Sequence, residues 1–188
     1  MKKTLKVALY ILLALVLIVL AYVIYVFAAY YRVEDMQTLD VVQFSVQDHV
    51  SGGESALPME GAPQTGVTYR VSSANVGFGA YSDDYSFFMD GGKESRARSG
   101  QAVDENMRGE VSLVKDLSPD FALFQEVDID GTRSWHIAED AYLSDVMENS
   151  EFNEVFAQNY DSPYLFYPLI NPHGANQSGI VTLSRHPI

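Results

Sequence analysis

The sequence predicts an α/β domain carried on one N-terminal apolar helix. Three observations predict it: an uncharged apolar run over 7–31, a helix-period stripe over about 101–116, and short aromatic or β-branched runs on either side of that stripe. Strand, helix and strand in that order favour a parallel pairing within an α/β sheet.

The apolar run comes first. From Val7 to Tyr31 there is no charged residue. At ~1.5 Å per residue the run reaches ~37 Å, longer than the ~30 Å hydrocarbon layer, so a tilted transmembrane helix fits. Lys2, Lys3 and Lys6 precede it, and Arg32, Glu34 and Asp35 follow. The positive-inside bias then puts the N-terminus in the cytoplasm and the rest outside, a single-pass topology with the lipid bilayer as partner through residues 7–31. A cleaved signal peptide is the competing reading, but its apolar core is usually ~7–15 residues, and this run is much longer. Tyr30 and Tyr31 suit an interfacial aromatic belt.

Segment 33–66 follows as a linker. Val41, Val42, Phe44 and Val46 form a short alternating patch that suits a strand, and Asp48 to Gly66 is rich in Gly, Ser and Pro without periodicity. The domain proper spans 67–188. Val67 to Val76 reads as β, and Gly77 to Gly100 as a long loop studded with Phe78, Tyr81, Tyr85, Phe87 and Phe88, the composition of a lid or of a wall for an apolar substrate part, with core packing of the rings an equally good reading. Val103, Met107, Val111, Val114 and Leu117 recur every three or four residues, which makes an amphipathic helix over about 101–116, broken by Ser118-Pro119-Asp120. Phe121 to Val127 is the next strand, Asp140 to Glu148 a short helix, Ser162 to Ala175 an extended loop with three prolines, and Gly179 to Leu183 a β-branched strand.

Charge and composition exclude several chemistries. Lys2, Lys3, Lys6 and Arg32 are four of the 12 basic residues and all 25 acidic residues come later, so 8 basic and 25 acidic residues share the chain from Val33 onward, a formal charge of −17. Such a surface repels nucleic acid and anionic lipid unless cations or a local basic patch intervene. With no cysteine, disulfides, thiolate zinc sites and cysteine nucleophiles are excluded.

Phe121-Ala-Leu-Phe-Gln-Glu-Val-Asp128 is an apolar strand that delivers a carboxylate, Glu126, at the rim of a sheet. Asn75 closes the strand before it, and Gly179-Ile-Val-Thr-Leu-Ser-Arg-His-Pro-Ile188 follows. These three elements in this order resemble the N-terminal half of the endonuclease/exonuclease/phosphatase superfamily, the metal-dependent phosphohydrolases that include deoxyribonuclease-like and sphingomyelinase-like enzymes. The resemblance covers about residues 68–188. It implies a four-layer α/β sandwich of mixed sheets flanked by helices, with Asn75 and Glu126 catalytic. Glu126 would be the ligand of Mg²⁺, with Mn²⁺ as the alternative, and Asn75 would orient a carboxylate or touch phosphate. Mg²⁺ chemistry suits one or two carboxylates, several waters and phosphate oxygens. The substrate class would be a phosphate ester. The acidic surface makes lipid head groups or small phosphorylated metabolites at least as good candidates as DNA, and nucleic acid is left open.

The family's Ser-Asp-His and Gly-Asp-x-Asn motifs are absent, and none of His49, His136, His173 and His186 follows an Asp. Arg133 is the best anion binder by its bidentate geometry. His136 and His173 are further candidates for phosphate contact, each with a solvated loop histidine as the competing reading. Asp128 and Asp130 could extend an acidic metal site, and Asp83, Asp84 and Asp90 lack calcium-loop spacing. The expectation is therefore the metal-holding half of an outward-facing phosphohydrolase, inert by itself because the water-activating half is missing. The alternatives are a non-catalytic extracellular binding module or an incomplete gene product.

Overall fold

The apolar run forms helix α1 (Lys2–Ala28), and its segment Lys3–Ala28 is long and apolar enough to cross a membrane. The computed structural model describes residues 2–44, 60–147 and 150–188. Val46, His49 and most of the Gly/Ser/Pro-rich linker lie outside the described residues.

Beyond α1 the described residues make a mixed α/β unit built on one five-stranded sheet. Its strands are β1 (Val41–Phe44), β2 (Val71–Asn75), β3 (Phe121–Gly131), β4 (Phe152–Leu165) and β5 (Gly174–Ser184), in the spatial order β1-β4-β5-β3-β2. β2 and β3 run parallel, with Asn75 opposite Gln125, and the other pairs are antiparallel. β5, the last of these five strands in sequence, is thus the central one in space.

The crossover between β2 and β3 contains α2 (Gly100–Asp116), capped by Ser99, whose Oγ accepts from the Ala102 N–H at 3.1 Å. Its face Val103, Met107, Val111 and Val114 is buried against β2 and its neighbouring turns. Leu117, the last residue of the predicted stripe, is instead the half-exposed C-cap, because the helix has already ended there. A short helix α3 (Asp140–Leu143) runs into a 3₁₀ turn, Ser144–Met147. Ala122, Phe124, Val127, Val181, Leu183 and Phe152 supply the sheet's share of the core, with Phe78, Leu143 and Met147 packed on them.

Two predicted boundaries are corrected. The extended loop over 162–175 shrinks to 166–173, since β4 continues to Leu165 and β5 begins at Gly174, where the two strands pair. β3 runs four residues past Val127 to Gly131, because a bulge absorbs the break in its alternation.

Candidate functional site

The register of β2 on β3 brings Asn75 and Glu126 together across 51 residues of sequence. Asn75 Nδ2 donates to Glu126 Oε1 at 2.9 Å. The amide is oriented by its other end, since Asn75 Oδ1 accepts from the Gly77 N–H at 2.9 Å. Behind them the ladder continues by the Val76 N–H to the Gln125 carbonyl, and Gln125 Nε2 donates to Ser73 Oγ.

Glu126 sits on a bulge. The β3–β5 register shifts between Phe124 and Val127, so Gln125 and Glu126 have no partner on β5 in that ladder. At φ +57° Glu126 occupies the left-handed region that favours glycine. The bulge aims an exposed carboxylate out of a strand whose other residues, Asp130 apart, are buried or half-buried, and strained backbone of this kind clusters at functional sites.

Both residues line a cleft of about 630 Å³. Asp90 is a second carboxylate on it; Phe78, Tyr81, Phe87 and Met89 from the aromatic segment wall one side, and Tyr160 and Ile180 belong to β4 and β5. Core packing accounts for several of those rings. Phe78 is buried, with Tyr81, Tyr85 and Phe87 packed around its ring. Burial first, then the negative charges of Asp90 and Glu126, pushes the Tyr81 hydroxyl above its ordinary pKa against the opposing charge of Arg133.

The donor set fits Mg²⁺ or Mn²⁺. One exposed carboxylate has an oxygen held by an amide, a second carboxylate lines the same space, and the cleft has room for the waters and phosphate oxygens these cations keep. Glu126 would hold the ion.

Arg133 lines the cleft but serves as its floor. It is buried, with Nη2 donating to Asp128 Oδ1 at 2.7 Å and Nε to Asp128 Oδ2 at 2.9 Å, and its guanidinium lies 4.2 Å from the Phe78 ring centroid. Asp128 is fully buried beneath it and also accepts from Ser134 Oγ. Asp128 is thus a partner of Arg133 and not part of an open acidic site. Under the pair lies Glu139, fully buried, with Oε2 accepting from the Asp128 N–H and Oε1 without a partner. Burial and then the charge of Asp128 push the Glu139 carboxyl up to about 9, so it is protonated at neutral pH.

His173 also lines the cleft, and it is buried rather than a solvated loop residue. Its Nδ1–H donates to the Ser95 carbonyl at 2.9 Å, which leaves Nε2 as the lone-pair nitrogen. Burial, with the nearby Arg133 charge, lowers its pKa and keeps it neutral. His136 is elsewhere, exposed, donating to Asp130 Oδ1 at 2.6 Å, and it is not among the residues lining the cleft. Asp84 is engaged by Arg98 rather than by Asp83 and Asp90.

One grouping escaped the sequence reading. Glu60, Asp120 and His186 bring their ligand atoms within 4.8 Å of one another. They lie at the start of β3, six residues and about 20 Å of strand from Glu126. His186 Nδ1–H donates to the Gly61 carbonyl, and Nε2 stands 3.5 Å from Glu60 Oε2, an ion pair when the ring is protonated. The antiparallel register that sets Phe121 opposite Ser184 joins Asp120 to His186, and no local motif announces it.

No family model, no curated protein and no solved structure matches this chain.

Proposed function

We propose that this protein is a membrane-anchored phosphohydrolase-type protein whose cleft binds a divalent cation, Mg²⁺ or Mn²⁺, and a phosphate ester outside the membrane. In this reading α1 spans the bilayer with its N-terminus in the cytoplasm. The sheet is one layer of a four-layer sandwich, a reading supported by the half-covered Leu123, Ile180 and Thr182, which alternate with buried core positions.

One observation carries the proposal: the Asn75–Glu126 pair, assembled from two parallel strands, holds a carboxylate on a positive-φ bulge at the rim of the cleft. A bound cation would neutralise charge developing on the phosphoryl oxygens. Asn75 would hold Glu126 in its ligating orientation, and the Phe78–Phe87 wall would exclude water from one side.

Binding is better supported than turnover. Arg133 is committed to Asp128, and His173 donates to a carbonyl instead of a carboxylate. Those two commitments favour the second reading, a binding module that holds cation and phosphate ester without hydrolysing it. The test uses the full chain in detergent and titrates Mn²⁺ by the loss of its free electron-paramagnetic signal. Saturable binding that is lost in Glu126→Gln and retained in His186→Ala supports the site. Binding unchanged in Glu126→Gln sinks it. Hydrolysis of bis(4-nitrophenyl) phosphate separates the two readings: turnover abolished by Glu126→Ala establishes the enzyme, and Glu126-dependent binding without turnover establishes the module.

A further inference from the structure

The loop between β4 and β5 is apolar and uncovered. Phe166, Tyr167, Leu169 and Ile170 are all more than half exposed, and the last two reach 87% and 84%. Between Asp161 and Arg185 the sequence holds no Asp, Glu, Lys or Arg, in a chain whose formal charge from Val33 onward is −17. Four adjacent bare apolar side chains on the longest charge-free stretch of an acidic domain mark an interaction surface.

Its neighbour is α1. The Tyr164 N–H donates to the Tyr25 hydroxyl at 3.0 Å and the Phe166 N–H to the Tyr22 hydroxyl at 3.3 Å, with the Tyr22 and Phe166 rings edge to face at 5.7 Å. These contacts set a depth. Counting from Lys6 at the inner boundary, Tyr22 lies about 24 Å and Tyr25 about 28 Å along a helix crossing ~30 Å of hydrocarbon. Phe166 is therefore held at or below the outer hydrocarbon boundary. The same bonds solve a polar problem, because a backbone N–H and a tyrosine hydroxyl at that depth both need partners, and each supplies the other's.

We propose that residues 166–170 form an interfacial foot seated in the outer leaflet of the bilayer that α1 crosses. The inference rests on α1 spanning the membrane. Phe166 and Tyr167 join Tyr22 and Tyr25 in one aromatic belt, and Leu169 and Ile170 enter the acyl boundary as the apolar face of a monotopic anchor does. The foot is continuous with the cleft wall: Tyr167 touches Phe88 at 5.9 Å between ring centroids, and Phe88 touches the cleft-lining His173 at 5.8 Å. Two attachments, one helix and one loop, then fix the cleft's height and orientation over the leaflet.

The absence of cysteine permits a direct test. The full chain is reconstituted in phosphatidylcholine vesicles with a single environment-sensitive nitrobenzoxadiazole label at Leu169→Cys, at Leu12→Cys in α1, or at Ser112→Cys on the exposed side of α2. The expected result is a blue-shifted emission quenched by spin-labelled lipid at both 12 and 169, and quenching by aqueous iodide alone at 112. A label at 12 in lipid with the label at 169 quenched only by iodide overturns the foot and leaves the anchor standing. Labels at both 12 and 169 in water overturn the anchor and the foot with it. Ile170→Cys repeats the measurement at an equally exposed position.

Discussion

Replacing Glu126 by alanine and, separately, by glycine isolates the backbone strain at the site from the loss of its carboxylate. Both variants lose the 2.9 Å bond from Asn75 and any ligated cation, so the difference between them reports the φ of +57°. A non-glycine residue in the left-handed region costs roughly 1–2 kcal/mol. Against that, glycine adds unfolded-chain freedom worth ~0.4–1 kcal/mol. The balance leaves the glycine variant more stable by about 0.5–1 kcal/mol, which for a domain of this size is a rise of roughly 2–4 °C in Tm. The assay is thermal unfolding of the full chain in detergent, followed through the fluorescence of Trp135, the only tryptophan, whose Nε1–H donates to the Ala97 carbonyl. An alanine variant as stable as the glycine variant would show that the bulge carries no strain, and the argument that Glu126 is held at a cost for its function would fall.

Two further outcomes follow from the layer beneath the cleft. Glu139 is protonated when folded, with a pKa of about 9, and ionises near 4.5 when unfolded. Its contribution is therefore full below about pH 4.5 and is lost as pH rises toward 9, by at most ~1.4 kcal/mol per unit. The stability advantage of Glu139→Gln over the native chain should accordingly widen between pH 5.5 and 8 in urea titrations, and a gap independent of pH would refute the assignment. Arg133→Met leaves Asp128 as an uncompensated buried charge and should cost ~3–5 kcal/mol, whereas Asp128→Asn combined with Arg133→Met should recover part of that loss; a double variant no better than the single would show that the two side chains do not act as a pair.

What was legible from sequence divides along a physical line. The period of Val103, Met107, Val111 and Val114 was readable because a helix repeats every 3.6 residues and one face must be buried. The parallel pairing of β2 and β3 followed from strand–helix–strand order, but that order does not set the register that brings Asn75 to Glu126. β4 was not readable: Asn153, Gln158, Asn159, Asp161 and Pro163 interrupt any alternation, and one of its two neighbours, β1, lies far away in sequence. The bulge hid the true length of β3, since Phe124 and Val127, three apart, both face inward. Arg133 looked like a free anion binder because its partner Asp128, only five residues away, could equally have faced solvent; burial decided the matter. His173 became a buried ring only once the β4–β5 hairpin set it against Phe87 and Phe88.

The central position of β5 has a consequence for the timing of folding. Before residues 174–184 exist, the chain can offer only two separate ribbons, β1 with β4 and β2 with β3, and nothing joins them. β5, the last of these five in sequence, inserts between the two and supplies most of the sheet's long-range pairing. High contact order of this kind makes folding slow. It also keeps the nascent sheet open until β5 has been made, the state in which a polypeptide can still be threaded through a narrow channel. A ribosome stalled before residue 174 would hold a chain still sensitive to protease, and one stalled far enough beyond 188 to expose β5 would hold a resistant one.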